Sequence, residues 1–359
     1  MKKQTRREFL VRSVRGGGAL ALLSAVPSWV LAQQRHSLAY RERAFYTMGS
    51  VATIRAYGES KAQIDHAVTR VITEFTRLDR LLSIYDPQSD LSRINGAAGR
   101  NAVRVHPEVL SIVREIRRRT LETGGTFDMT VEPLMRLWGF RGKKQNEPPS
   151  DQEIRLALDA VGQHHIDIDE REGTIGLRHP AALLDSGGWG VGYAVDRAVE
   201  ILKAEGIESA FVNHSGDAYA LGVPPEEESE QGWGVAVPNP LSPERMMFTM
   251  KLRDKAVSTS GNYRNFLKEG NSRIGHILDP RTGHPAGKAI STTVISASAL
   301  EADVLSTTLF AVAPEQWRGI LDERGQPDLI GVLPDCTIVE HMGRATGHLH
   351  VQTHQPFEE

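Results

Sequence analysis

Four consecutive motifs decide the fold: AVSTSGNYRNF at 256–266, GHILDPRTGHP at 275–285, STTVISAS at 291–298 and ALEADVLSTTLF at 299–310. The first is a turn rich in Ser, Thr and Gly, and the second runs from a histidine into an Asp-Pro turn. The third is a β-branched run typical of a buried strand. The fourth is a helix with an acidic residue near its start. Their complementary chemistry indicates a functional site as well as a core segment.

The fourth motif predicts a helix over 299–312, because its apolar residues at 300, 304, 305, 309 and 312 follow helical spacing. Asp303 and Thr307 then share one face, with Ser306 beside them. One carboxylate with hydroxyl oxygens is a poor site for calcium, but it suits magnesium, which keeps several waters and shares substrate phosphates. The alternative is a solvated Asp303 that bonds a local hydroxyl.

The second motif places His276 just before the strand-like Ile277 and Leu278 and the Asp-Pro turn. A histidine in such a place can act as a general base, since its ordinary pKa lies near neutrality. It can equally be a turn histidine that hydrogen-bonds to the backbone.

Three upstream stretches complete the pattern. GGTFDMTVEPLMRLWGF covers 124–140, and LLDSGGWGVGYAVDRAVEIL, at 183–202, has a glycine-rich strand-to-helix turn that lets backbone approach phosphates. Its glycine spacing is not GxGxxG, which makes a dinucleotide-binding Rossmann site a weak interpretation. AFYTMGSVATIRAY, at 44–57, predicts one strand with a bulge, or a close approach of backbone to ligand, at Met48-Gly49.

In this order and at these distances, TSGNYRNF, GHILDPRTGHP and ALEADVLSTT resemble the periplasmic flavin transferases of the ApbE type, which move FMN from FAD onto a Ser or Thr of a target protein. The three upstream stretches match the same family. The resemblance implies a single α+β domain over 33–359, with mixed β-sheets flanked by helices and a nucleotide cleft between them.

The resemblance also implies the site residues. His276 takes the proton from the acceptor hydroxyl, and Mg²⁺ is held by Asp303, Thr307, Ser306 and the carbonyl of Gly188. The positions that match flavin-nucleotide contacts are Met48, Tyr85, Thr126, Phe127, Asp128, Asp185, Val191 and Leu278. Taken alone, a Met in a strand or a Phe in such a motif is more often a core residue.

The chain departs from the family pattern at several positions. Thr126 stands where Ala is common, Ser186 replaces Leu, Ser215 replaces Gly, and Val191 replaces a Lys or Glu. The change at Val191 removes a polar contact expected near the nucleotide. It predicts weakened FAD binding, which Val191→Lys should tighten.

Residues 1–32 have the features of a twin-arginine secretion signal: Arg6-Arg7, a short apolar run and a small-residue end at Ala32. They predict a soluble periplasmic protein. Cys336 is the single cysteine, which excludes an intramolecular disulfide and predicts no lipid anchor. The net charge is −3, or −8 without residues 1–32, which excludes a nucleic-acid-binding surface.

Further elements follow from periodicity and turn residues. Ser60 caps a long amphipathic helix, Pro107 opens a second one, and 151–162 holds a short helix. HHIDID and TIGLR form a hairpin, with His164 and His165 on opposite faces of a strand. Strands are also expected at 233–238, at 245–257 and in LIGVLPDCTIV as the last one, before a frayed end.

Two activities besides transfer stay open from the sequence. The same metal site could serve an FAD pyrophosphatase that yields FMN and AMP, or the chain could be a non-catalytic flavin-binding assembly factor. For a transferase, the expected partner is a flavoprotein with an acceptor Ser or Thr, an electron-transfer subunit at or beyond the membrane.

Overall fold

The computed structural model describes residues 38–142, 147–225, 232–242, 244–262, 266–269, 272–324, 327–343 and 351–353. The helices in these ranges are α1 Lys61–Leu82, α2 Asp90–Gly96, α3 Pro107–Glu122, α4 Glu132–Leu137, α5 Asp151–Leu158, α6 Gly190–Ala204, α7 Ala299–Ala311 and α8 Pro314–Asp322. Within the described part of the chain, none of them has the length and apolar character that a membrane span requires.

The strands are β1 Ala39–Thr47, β2 Ser50–Gly58, β3 Val103–Arg104, β4 Ile166–Asp169, β5 Thr174–Leu177, β6 Ser209–His214, β7 Asp217–Leu221, β8 Trp233–Pro238, β9 Met246–Leu252, β10 Lys255–Gly261, β11 Phe266–Glu269, β12 Ser272–Gly275, β13 Ser291–Ser296, β14 Asp328–Val332, β15 Ile338–His341 and β16 Val351–Thr353. Eight of them form one sheet in the order β1-β2-β6-β7-β10-β13-β14-β15. The smaller sheets are β11-β12, β16-β9-β8 and β3-β5-β4.

The α+β class predicted from the sequence is confirmed. The strand pairings among the described residues are all antiparallel, where the sequence analysis expected mixed sheets. For strands joined by a short turn, such as β1–β2 and β6–β7, no other pairing is possible.

Helices α1, α6 and α7 share the main hydrophobic core with the large sheet. The predicted stripe on α1 is buried, and the Ser60 side chain caps the helix by accepting from the backbone N–H of Gln63. Eleven of the thirteen residues of α7 are buried, as expected of a helix that is apolar on all sides. Burial of α7 takes Asp303, Ser306 and Thr308 into the interior with it.

The segment around Met48 differs from the prediction of one strand with a bulge. Thr47 pairs directly with Ser50, so that β1 and β2 form a hairpin with Met48-Gly49 as its two-residue turn. Met48 has φ 45° and Gly49 has φ 79°, the positive values that a tight hairpin turn of this hand requires. The prediction of a continuous strand is therefore wrong, since the chain reverses direction at this point.

Other local predictions had mixed outcomes. The hairpin of β4 and β5 is confirmed, but His164 and His165 lie in the 3-10 turn Gln163–His165, where their ring centroids are 4.0 Å apart. The two histidines therefore do not lie on opposite faces of a strand, and that prediction is wrong. The strand expected over 245–257 is divided into β9 and β10 at Asp254, which has φ 51°.

β14 is buried as predicted, but it is not the last strand, since β15 and β16 follow it. The predicted signal at 1–32 lies outside the described residues.

Candidate nucleotide site

A cavity of about 520 Å³ lies where the sequence motifs converge. Its walls come from the β1–β2 turn, the 126–141 segment, the glycine-rich loop before α6, strand β10, the Asp-Pro turn and α7. The predicted site residues among its lining are Thr126, Phe127, Asp128, Asp185, Gly188, His276, Leu278, Asp303 and Thr307.

Four predicted site residues do not line this cavity. Met48 is in the hairpin turn, and its neighbours Gly49 and Ser50 provide the lining. Tyr85 is 72% exposed, and Val191 is half-buried against the main core. Ser306 is fully buried, one layer behind the cavity wall. Direct contact of these four with a ligand stays a prediction.

Asp303 is held where α6 crosses α7. Its Oδ2 accepts a hydrogen bond from the backbone N–H of Gly192 at 3.2 Å. A Cβ on Gly192 would lie 2.5 Å from the carbonyl oxygen of Ala299, so only glycine allows this close crossing. Asp196, one turn further along α6, accepts from the backbone N–H groups of Ala299 and Leu300 at 2.7 and 2.9 Å. The start of α7 is thereby fastened to α6.

The Asp303 carboxylate is in an environment that disfavours its charge. Burial raises the pKa of Asp303 well above its usual range, and the neighbouring Asp217 carboxylate raises it further. Asp217 lines the same cavity. A cation beside these two carboxylates would offset both effects.

Hydroxyl groups from β10 and from the next turn of α7 after Asp303 form a hydrogen-bonded cluster. The Ser306 hydroxyl lies 2.9 Å from that of Ser260 and 3.1 Å from that of Ser258, and Ser260 is also 3.3 Å from the Thr307 hydroxyl. Gly188, with φ 72°, approaches the same place, since a Cβ there would lie 3.1 Å from Thr307 Oγ1. The arrangement therefore brings oxygen atoms of the types that Mg²⁺ prefers to one end of the cavity.

Asp128 stabilises the loop of the 126–141 segment that lines the cavity. Its Oδ1 accepts from the backbone N–H and the hydroxyl of Thr130, at 2.8 and 2.6 Å. The Thr130 oxygen in turn accepts from the backbone N–H of Gly162 at 2.7 Å. Burial raises the pKa of Asp128. This carboxylate therefore holds the loop in shape in addition to facing the cavity.

His276 stands at the entrance to the Asp-Pro turn and is half-buried. Its ring and that of Phe140 are in a T-shaped arrangement, with centroids 6.4 Å apart. The turn itself is closed by the backbone N–H of Gly283, which donates to the carbonyl of Asp279 at 2.8 Å, and Trp138 Nε1 donates to the carbonyl of Gly283 at 2.8 Å. The WGF motif thus positions the turn that carries the histidine.

The sequence reasoning missed several cavity residues. Arg141 follows the WGF motif directly and is the single Lys or Arg among the described residues of the lining. Ser258 and Ser260 lie on the Ser/Thr-rich strand but were not assigned a role. His214 does not line the cavity but is buried beneath the β1–β2 turn, and the sequence gave no local signal for it. A cation placed directly after a recognised motif was the one clue that could have identified Arg141.

Comparison with known proteins supports the same interpretation. A profile described as the ApbE family matches residues 48–330. The FAD:protein FMN transferase of Klebsiella pneumoniae (strain 342) is 32% identical over 284 residues, which cover 78% of this chain and 80% of that protein. That of Escherichia coli (strain K12) is 30% identical over 261 residues, covering 71% of this chain and 74% of the relative.

Solved structures agree with this result. The ApbE protein of Thermotoga maritima superposes with a TM-score of 0.77 at 29% identity, over 84% of this chain and 97% of that one. The flavin transferase ApbE of Vibrio cholerae superposes with a TM-score of 0.75 at 25% identity, over 86% of this chain and 98% of that one. With a family profile over most of its length, relatives of about 30% identity and the same fold, this chain belongs to the ApbE family.

Proposed function

We propose that this protein is an FAD:protein FMN transferase. The observation that carries the proposal is the convergence of Asp185, His276, Asp303 and Thr307 on one cavity of about 520 Å³. A volume of this order is typical of a site for a cofactor-sized molecule. The ApbE family profile matches residues 48–330, a range that includes all four, and similar proteins carry this name.

The charge of the cavity supports a metal requirement. Within the described lining, four carboxylates, from Asp128, Asp185, Asp217 and Asp303, stand against one cation, Arg141. An FAD pyrophosphate is itself anionic, and would be repelled by this surface unless a cation came between them. We therefore propose Mg²⁺ as the cofactor.

The residues fit such an ion. Among the described residues no group of three or more His, Cys, Asp or Glu side chains is arranged to hold a metal. Mg²⁺ does not need one, because it is commonly held by one or two carboxylates, waters and substrate phosphates. Asp303, Thr307 and the Gly188 carbonyl would hold it, with Ser306 behind them. When bound, the ion would neutralise charge that develops on the pyrophosphate.

The chain's own groups then account for the transfer. An acceptor hydroxyl oxygen forms a bond to the phosphorus of the FMN half of FAD, while the bond from that phosphorus to the bridging oxygen breaks. AMP leaves with the electron pair. His276 takes the proton of the hydroxyl as general base. The hydrogen-bonded Asp-Pro turn and Trp138 hold this histidine at the cavity edge.

The site of action is also part of the proposal. Residues 1–32 would direct export by the twin-arginine route, and residues 33–359 would act in the periplasm on an electron-transfer flavoprotein. Support comes from Arg6-Arg7 and the apolar run that follows. Replacing both arginines by lysine should leave the protein in the cytoplasmic fraction. Periplasmic recovery of that variant would contradict this location.

One experiment separates transfer from its rivals. The protein is incubated with FAD, MgCl₂ and a purified flavoprotein subunit that accepts FMN on Thr, and AMP and the acceptor mass are measured. Transfer gives AMP and an acceptor that has gained FMN. AMP with free FMN and an unchanged acceptor would identify a pyrophosphatase. FAD binding without AMP would favour an assembly factor.

A further inference from the structure

Three charged residues form a chain that leads into the cavity wall. Glu132, in α4, has a 1% exposed side chain whose Oε1 accepts from Arg136 Nε at 2.7 Å. Its Oε2 lies 3.6 Å from Arg141 Nε, and Arg141 Nη2 lies 3.4 Å from Asp185 Oδ2. Arg141 is therefore placed between two buried carboxylates.

This chain is incompletely satisfied. Glu132 Oε2, Arg141 Nε and Asp185 Oδ1 are buried atoms with no hydrogen-bond partner among the described residues. The first two face each other at 3.6 Å, just beyond hydrogen-bonding distance. In the part of the chain that the structure describes, no group donates to Asp185 Oδ1, and the Asp185 side chain is 5% exposed. Burying a carboxylate oxygen without a hydrogen-bond donor costs free energy of folding, unless a bound ligand supplies the donor.

The charges around Asp185 decide which ligand group can supply this donor. Arg141 is already shared between two carboxylates, and the other cation, Arg136, is half exposed on the outer side. A phosphate at this place would therefore meet as much negative as positive charge. A neutral planar group with an N–H beside an acceptor fits better, because Asp185 offers an acceptor and Arg141 offers N–H donors.

We propose that Glu132 and Arg141 are positioning residues that hold the Asp185 carboxylate ready to accept an N–H from a heterocyclic ring of FAD. This inference rests on the proposed function, in which FAD is the substrate. FAD has two edges of the required kind: the amino group of adenine beside a ring nitrogen, and the ring N–H of the isoalloxazine between two carbonyls. The experiment below distinguishes them.

The arrangement is sensitive to pH. Burial, followed by the Asp185 carboxylate, raises the pKa of Glu132 to about 6, against the effect of Arg136 and Arg141. Asp185, Glu132 and Tyr85 face Arg141. Once Glu132 is protonated, Arg141 is attracted to Asp185 alone, and the ligand N–H must compete with a tighter ion pair. Affinity for FAD should therefore rise as pH increases through about 6.

A double-mutant cycle tests the proposal. FAD affinity is measured by flavin fluorescence from pH 5 to pH 8 for the wild type, Glu132→Gln, Arg141→Gln and the double variant. Glu132→Gln should weaken FAD binding about fivefold at pH 7.5, remove the rise through pH 6, and change the rate at saturating FAD less than twofold. It should have little further effect when Arg141 is already Gln, because Glu132 acts through Arg141.

The proposal is overturned if Glu132→Gln binds FAD like the wild type at every pH, or if it causes the same loss in both backgrounds. Asp90→Asn is the matched control, since Asp90 is also a buried carboxylate paired with an arginine, Arg93, but lies outside the cavity lining. It should leave the pH dependence unchanged. Thermal unfolding of each variant shows that it is folded.

Riboflavin and adenosine identify the ring. The compound whose affinity falls in Glu132→Gln is the one that Asp185 contacts, and a fall for neither contradicts the proposal. The proposed function can fail separately. A wild type that binds FAD with the stated pH dependence but releases no AMP would refute transfer and leave the role of Glu132 and Arg141 standing.

Discussion

His214 donates a hydrogen bond from Nε2 to the carbonyl oxygen of Thr47, 3.0 Å away, from a fully buried position. Its ring stacks on Phe75, with centroids 5.9 Å apart and planes 10° from parallel. Thr47 is the last residue of β1, and Gly49 and Ser50 just beyond it line the cavity. A single buried imidazole thus fixes the hairpin that forms one wall of the site.

This contact predicts a pH-dependent stability. Burial lowers the pKa of His214, so below about pH 6.5 the unfolded chain binds a proton that the folded chain does not. The stabilising effect of neutral His214 is complete above pH 6.5 and is lost as pH falls toward the folded pKa, by up to about 1.4 kcal/mol per pH unit. Urea unfolding of the wild type and of His214→Gln at pH 7.5 and 5.5 measures this loss of unfolding free energy. A wild type that loses no more stability than the variant would contradict this assignment.

Asp303→Asn should abolish FAD cleavage and leave the fold intact. It removes the one full charge assigned to the metal, so AMP release should fall by at least about a hundredfold. Stability without magnesium should be equal or higher, because the ionised carboxylate is costly at this buried position. Glu301→Gln, on the same helix but outside the cavity lining, is the control and should retain activity. Asp303→Asn activity within a few-fold of wild type would refute the metal assignment.

His276→Ala should stop transfer to the acceptor but change FAD affinity less than about twofold, because a general base acts on the acceptor hydroxyl. His284→Ala provides a control from the same turn, since His284 is exposed and does not line the cavity. Acceptor mass and FAD fluorescence give the two measurements. Should transfer persist with an unchanged pH profile, the base is another group, and Asp217 is the first to test.

Gly188→Ala should lower both stability and activity, whereas Gly124→Ala should lower stability alone. Both glycines have positive φ, 72° and 59°, so an alanine at either costs about 1–2 kcal/mol in backbone strain. A Cβ at Gly124 meets nothing within 4 Å, but one at Gly188 lies 3.1 Å from both Thr307 Oγ1 and Phe127 Cε2. Chemical denaturation and AMP release compare the pair. Equal activity of the two variants would place Gly188 away from the reaction.

The parts of the site that the sequence predicted are those with a local signal. Helical spacing placed Asp303 and Thr307 on one face, and the turn residues around Asp279 placed His276 at the start of a turn. The glycines before α6 predicted a loop whose backbone approaches a ligand. Each of these depends on residues a few positions apart, where periodicity and turn chemistry act directly.

The missed parts depend on contacts that are distant along the chain. Met48 has a positive φ that its residue type does not suggest, so the hairpin looked like one strand. Glu132 lies on a short helix where a carboxylate is ordinarily exposed, and only tertiary packing places it against Arg141 and Asp185. The hydroxyl pair of Ser258 and Ser306 requires β10 to pack on α7. Strand order and packing decide such contacts, and neither is encoded locally.

The crossing of α6 and α7 has a consequence for how the site works. Because Gly192 brings the two helices into backbone contact and Asp196 holds the first N–H groups of α7, the Gly188 loop and the Asp303 carboxylate move together or not at all. The half of the cavity that carries Asp303 is therefore a fixed template, so little of the free energy of ligand binding is spent on rearranging it.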